Sequence, residues 1–236
     1  MSIYSKKSGW NLIYNLYSKI SGAWRPISHG WVKISGTWRL FYPTPPGNYS
    51  WATPGTYTTR VPPGITSVTL YVVGGGGGSG SSGEVSAGGS GGGGGSGGYR
   101  SSVHSVVPGT IVTVQVGAGG SGGGGNCREC NGSGYAGGTS FIKIGAITVQ
   151  ATGGGGGGWG NYGGGGYGGG GGSPNGVNGS YGSGGGGDHS SHGGVAGGNN
   201  GTGYGIGGNS PSAPDRNSPY GWRGYNGGSG FARMSW

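Results

Sequence analysis

Between Gly74 and Gly230 the chain returns again and again to runs of glycine, among them Gly74–Gly78, Gly91–Gly95, Gly153–Gly158 and Gly168–Gly172. Of the 73 glycines in the chain, all but the seven that precede residue 74 lie here. A stretch so poor in side chains cannot bury a conventional apolar core. Two physical states remain. One is a flexible linker, because glycine loses the most backbone entropy on ordering and returns no packing. The other is a bundle of extended threefold helices, close enough for backbone N–H and C=O groups to bond between neighbours. Collagen is excluded by the lack of a strict Gly-X-Y period. A helix surrounded on several sides needs glycine at nearly every position, which these runs provide.

Residues 8–42 carry a different pattern. Trp10, Tyr17, Trp24, Trp31 and Trp38 recur every seven residues, and Lys19-Ile-Ser-Gly-Ala-Trp-Arg25 is nearly copied as Lys33-Ile-Ser-Gly-Thr-Trp-Arg39. Gly9, Gly22, Gly30, Gly36 and Pro26, with no acids for interhelical pairing, argue against a coiled coil. Ser21-Gly22 and Ser35-Gly36 read instead as two-residue turns of an aromatic β-meander. A segment this short cannot bury five large aromatics within itself, so residues 1–42 read as an attachment module. An ordinary small Trp core is the bland alternative.

Pro43, Pro45, Pro46 and Gly47 mark a linker over 43–50. Residues 51–236 then read as a small β-sandwich with the glycine body inserted in it. Alternating stretches predict hairpins over 57–73 about Pro63-Gly64, over 99–116 about Pro108-Gly109, and over 139–151 about Gly145, with a closing strand at 230–236. The fold class is therefore mostly β with a non-standard architecture, and the glycine runs supply about ten packed polyglycine II helices.

Because the chain leaves the sheet and must come back to it, direction follows from parity. Segments 74–80, 87–98, 117–125, 132–138, 153–158, 163–172, 182–187, 193–198, 203–208 and 226–230, alternating outward and inward, return to the β region at Tyr99, Thr139 and Phe231. The interruptions divide into far-end turns (81–86, 126–131, 159–162, 188–192, 209–225) and near-end turns (173–181, 199–202). Six residues rise about 19 Å at ~3.1 Å each. The far-end turns hold all four acids (Glu84, Glu129, Asp188, Asp215), with Arg128, His189, His192, Arg216, Arg223, Trp159, Tyr162, Tyr220 and Trp222. Ordered packing also predicts that Gly155→Val and Gly170→Val each cause misfolding.

The Trp-Arg repeats, the Gly-Thr-Tyr-Thr-x-x-Val-Pro-x-Gly-Ile-Thr-Ser-Val-Thr stretch leading into polyglycine, and the Gly-Phe-Ala-Arg-Met-Ser-Trp ending resemble glycine-rich tail proteins of tailed bacteriophages. Most similar are the detachable adhesins at the tips of T-even-like long tail fibres. The resemblance implies that an N-terminal aromatic domain docks on a trimeric tail-fibre protein. It also implies that loops on a polyglycine II body bind an outer-membrane protein of the bacterium, with a surface glycan as the other possible receptor. The implied receptor-binding candidates are Arg128, Glu129, Trp159, Tyr162, Asp188, His189, His192, Asp215, Arg216, Tyr220, Trp222 and Arg223. Trp10, Tyr17, Trp24, Trp31 and Trp38 are the candidates for fibre attachment. The protein would be made in the host cytoplasm and reside in the virion. A non-adhesive capping or connector protein of the tail fits the same N-terminus.

The net charge of +9 would ordinarily suggest a polyanion, but it is polarised. Lys6, Lys7, Lys19, Arg25, Lys33 and Arg39 fall in residues 1–42, where there are no acids. Arg-Gly-Gly repeats are absent and the far-end turns are nearly neutral, so no nucleic acid is expected. No run of apolar residues is long enough for membrane insertion, and Met1–Lys7 lacks a signal peptide's apolar stretch. Cys127-Arg-Glu-Cys130 offers half of a zinc site, and His189 and His192 could complete it. A local disulfide or free thiols are the alternatives. Polyglycine without Gly-Lys-[Ser/Thr] is not a phosphate loop. Asp188, His189 and a nearby serine have no fixed geometry, so neither enzymatic activity nor a cofactor is expected.

Overall fold

The computed structural model describes residues 4–6, 10–12, 17–27, 30–42, 46–82, 90–124, 132–160, 165–176, 204–208 and 223–236. The described residues are mostly β, contain no helix and form several antiparallel sheets. The N-terminal part forms three separate strand pairs: β1 (Tyr4–Lys6) with β2 (Trp10–Leu12), β3 (Tyr17–Ile20) with β4 (Ala23–Pro26), and β5 (Gly30–Ile34) with β6 (Thr37–Tyr42). These are hairpins, not one continuous meander. Pro26, which lacks an N–H, ends β4 and cannot donate to a further ladder. The Ser21-Gly22 and Ser35-Gly36 turns are as expected. Their φ values of 51° and 83°, and of 49° and 81°, are positive at both central residues, as a type I′ turn requires.

Eight further strands form two four-stranded sheets. The first has the order β10 (Tyr99–Ser105), β9 (Ser67–Val73), β14 (Phe231–Ser235), β7 (Asn48–Trp51). The second has the order β13 (Ile147–Ala151), β12 (Ser140–Ile144), β11 (Ile111–Val116), β8 (Gly55–Arg60). Strand β7 begins inside the stretch read as a linker. Alternate side chains of both sheets meet in one core: Val68, Leu70, Val72 and Met234 from the first, Val112, Val114, Ile142 and Val149 from the second. Leu70 is fully buried, so Leu70→Ala should cost about 3 kcal/mol by lost transfer and a cavity. Thermal unfolding should register this as a fall of about 6–12 °C.

Two of the three expected hairpins are not hairpins. Strand β8 pairs with β11 rather than β9, and β10 pairs with β9 rather than β11. The cause lies in the turn chemistry. At Pro62–Ile65 and Val107–Thr110 proline is followed by glycine at φ 75° and 82°, and the fourth N–H bonds back to the first carbonyl at 3.3 and 3.2 Å. These are type II turns, whose twist splays the flanking strands. Each carries the chain from one sheet to the other. Only β12–β13, closed about Gly145 at φ 57°, is the hairpin foreseen.

The glycine segments leave from the ends of β9, β11 and β13 and return to β10, β12 and β14. Ladder pairing Val73↔Tyr99 passes directly into the bond from Gly74 N–H to the Gly98 carbonyl, 2.9 Å. From there the partner changes with every residue in a cycle of three. Gly74, Gly77 and Gly80 donate to Gly98, Gly95 and Gly92; Gly75, Gly78 and Ser81 donate to Gly138, Tyr135 and Gly132; Gly76 and Ser79 donate to Gly228 and Tyr225. The carbonyls of the same segment accept from three other segments, through Gly154, Gly157 and Gly160, through Gly120 and Gly123, and through Gly208. Segment 74–82 is thus enclosed by six others. These bond to one another in turn around it, as in Gly92 N–H to Gly158 O, Gly134 to Gly157, Tyr135 to Ser121, Gly227 to Gly120, Gly228 to Ile206 and Gly94 to Gly208.

Ascending numbers pair with descending ones at 90–98, 132–138 and 223–230, and with ascending ones at 117–124 and 152–160. Segments 74–82, 117–124, 152–160 and 204–208 therefore run outward, while 90–98, 132–138, 165–172 and 223–230 run inward, as the return argument requires. Segments 182–187 and 193–198 lie outside the described residues.

Candidate functional site

Side chains enter this array only where it leaves room. Ala118, Ser121, Tyr135, Tyr167, Arg223 and Tyr225 are exposed on its flanks. The serines at 79, 81, 82, 90 and 96 are buried, and the Ser79 hydroxyl accepts from the Tyr225 N–H at 2.8 Å. A small polar side chain is accommodated there by taking over a backbone bond.

The array has two chemically different ends. At the sheet end, Ser173–Gly176 is tied in by Thr152 N–H to Ser173 O and Tyr99 N–H to Pro174 O, both 2.8 Å, and by Asn175 Nδ2 to Tyr99 O, 3.1 Å. That is the near-end position expected for this turn. At the opposite end lie Ser81, Trp159, Gly160 and Arg223. Gly160 N–H bonds Ser81 O at 3.0 Å, and Gly224 N–H bonds Gly123 O at 3.0 Å. Trp159 is half-buried and Arg223 exposed. Of the receptor-binding candidates these two are described, and both sit at the end remote from the sheets. Arg128, Glu129, Tyr162, Asp188, His189, His192, Asp215, Arg216, Tyr220 and Trp222 lie outside the described residues. So do Cys127 and Cys130, and with them the whole zinc hypothesis.

At the N-terminus four of the attachment candidates are open to solvent. Tyr17 is 54% exposed, Trp24 70%, Trp31 56% and Trp38 63%. Trp10 lies in β2. Strand β7 enters the first sheet at Asn48, which pairs with Ser235, and Trp51 pairs with Ala232 nearer the glycine segments. The chain therefore arrives from the hairpins at one end of the sheets and sends out glycine at the other.

A model of the glycine-rich domain matches residues 52–236. The chain belongs to the glycine-rich domain family. The match covers the two larger sheets from Ala52 onward and the whole glycine array, and it leaves out the three hairpins. No curated protein matches the chain. Within the glycine-rich domain, the turn-based reading passed over Tyr135, Tyr167 and Tyr225, which are 67%, 71% and 60% exposed. Tyr135 and Tyr167 stand inside the runs, and Tyr225 stands where the 209–225 turn meets the last of them. The threefold spacing of outward-facing positions is the signal that would have found them.

Proposed function

We propose that this protein is a receptor-binding adhesin at the tip of a bacteriophage tail fibre. In this reading the glycine segments are polyglycine II helices projecting from a β-sandwich, and the far-end turns form the surface that meets the bacterium. The observation that carries the reading is the cycle of three in the hydrogen bonds of segment 74–82, with six segments around it. A threefold extended helix turns one residue in three toward each neighbour, so such a cycle is its signature. A body bonded in this way is stiff without side chains, and its turns are free to vary. Recognition then occurs without chemistry, through an outer-membrane protein or a surface glycan. The virion is the site of action, with the hairpins holding the trimeric fibre.

Labelled protein applied to host cells tests the reading. Saturable binding that disappears from one receptor-deletion strain is the expected result. Failure to bind any host that the parent phage adsorbs to, with fibre attachment retained, would instead identify a capping or connector protein.

A further inference from the structure

The outer face of the first sheet displays a cation that no acidic side chain among the described residues neutralises. Leu70 and Val72 of β9, and Ala232 and Met234 of β14, lie in the core. Tyr71 and Arg233, which fall between them, therefore point outward. The registers set Ser50 opposite Arg233, Arg233 opposite Tyr71, and Tyr71 opposite Ser101. These four side chains form one row across β7, β14, β9 and β10. At the usual spacing of neighbouring strands the row is about 14 Å long, the length of a short oligosaccharide.

A ladder of rings holds the middle of the row. Tyr204 stacks on Phe231 with centroids 4.6 Å apart and planes at 14°, and Phe231 leans on Tyr71 at 6.3 Å. The Arg233 guanidinium lies over the Tyr71 ring, 5.8 Å from its centroid. This cation–π contact restrains a side chain that would otherwise sweep through water, so a ligand meets the guanidinium already oriented. Arg233, Ser50 and Ser101 are exposed, and the three rings are half-buried. The described residues include no aspartate or glutamate, so the strands that hold Arg60, Arg100, Lys143 and Arg233 carry charge of one sign.

The chemistry of the row selects its ligand. A guanidinium fork matches a carboxylate bidentately, and the ring beside it offers a surface for the C–H face of a sugar. Ser50 donates its proton to Asn48 Oδ1 at 3.1 Å and keeps its lone pairs for a sugar hydroxyl. A nucleic acid would call for several cations along its phosphates, and this row has one.

We propose that the outer face of the first sheet binds an acidic polysaccharide. One sugar places its carboxylate on Arg233 and its ring against Tyr71, while Ser50 and Ser101 meet hydroxyls of the sugars on either side. The site lies on the sheets, away from the far-end turns, and does not rest on the adhesin reading.

The test titrates the full-length chain with oligosaccharides that carry a hexuronate, a sialate or a 3-deoxyulosonate, each beside its carboxyl-reduced counterpart. At least one acid should bind, and its reduced form should bind about tenfold more weakly or not at all. Arg233→Gln should weaken binding of that acid about tenfold or more, and Arg233→Lys, which keeps the charge but not the fork, by a smaller factor. Lys143→Gln removes the same charge from the outer face of the second sheet and should change little. Thermal unfolding should be alike in these variants, because both side chains are exposed. Equal losses in Arg233→Gln and Lys143→Gln would reduce the effect to diffuse attraction by a basic protein and overturn the site. Failure of every acidic oligosaccharide to bind the wild-type chain would overturn it as well.

Discussion

Valine at position 77 is expected to destabilise the native state severely. The Gly77 N–H donates to Gly95 and its carbonyl accepts from Gly208, both at 2.8 Å, so the backbone there is fixed on two sides. A Cβ added at that position would land on the Gly155 carbonyl, well inside van der Waals contact. That carbonyl in turn accepts from the Gly95 N–H at 2.9 Å. Backbone cannot swing aside as a side chain does, so the neighbouring segments must separate. Overpacking costs about 1–3 kcal/mol and each lost bond about 1 kcal/mol, which together give roughly 4–6 kcal/mol. Against a total of about 5–15 kcal/mol, this removes between roughly a quarter and all of the stability. Limited proteolysis and thermal unfolding should show a susceptible chain, or one with Tm lowered by about 10–20 °C. Gly170→Ala is the control. Nothing lies within 4 Å of a Cβ there, and the change should stay within about 0.5 kcal/mol of wild type. Equal protease resistance in the two variants would return the glycine body to a flexible linker.

Gly155 and Gly170 show what the sequence could and could not reveal. Glycine density alone makes Gly155 and Gly170 equivalent, and both would be expected to reject valine. In the folded chain Gly170 faces open space. A Cβ on Gly155 would meet the Gly170 nitrogen at 3.0 Å, a contact that asks its neighbour to yield slightly. Position in the array, not membership of a glycine run, sets the penalty. Position depends on pairings such as Ser79 with Tyr225, which are 146 residues apart and leave no local trace. Direction, by contrast, was legible, because a chain that returns to a sheet must alternate. Strand positions were also largely legible from alternation, as in β9 and β11. Their partners were not, since Pro63-Gly64 and Pro108-Gly109 suggest a hairpin to anyone counting residues between strands. The φ values there belong to turns that open the strands and switch sheets. The candidate binding turns were placed by parity alone. Trp159 and Arg223 are found at the end that parity assigned them, but no sequence pattern distinguishes contact residues within those turns.

On the proposed adhesin function, exchange of residues 159–162 and 209–225 for those of a related protein is expected to redirect host adsorption while folding and fibre attachment persist. Aromatic side chains give large, rigid contact area at small entropic cost, and here they would stand on a backbone held by bonds of 2.6–3.0 Å. Trp159→Ala and Arg223→Ala test the described part of that surface. If Trp159 anchors the receptor, its loss should slow adsorption about thirty-fold or more. Arg223, exposed and first in its segment, should show a smaller, salt-sensitive loss. Ser173→Ala and Asn175→Ala probe the opposite end. Asn175 has a positive φ of 65° and bonds Tyr99, so its replacement should lower Tm by a few degrees without slowing adsorption. Measuring Tm and adsorption on the same four variants separates recognition from end-capping. Half-buried Trp159 could simply shield the ends of the glycine segments from water, and in that case adsorption would fall only in step with Tm. Adsorption lost at an unchanged Tm assigns the far end to the receptor.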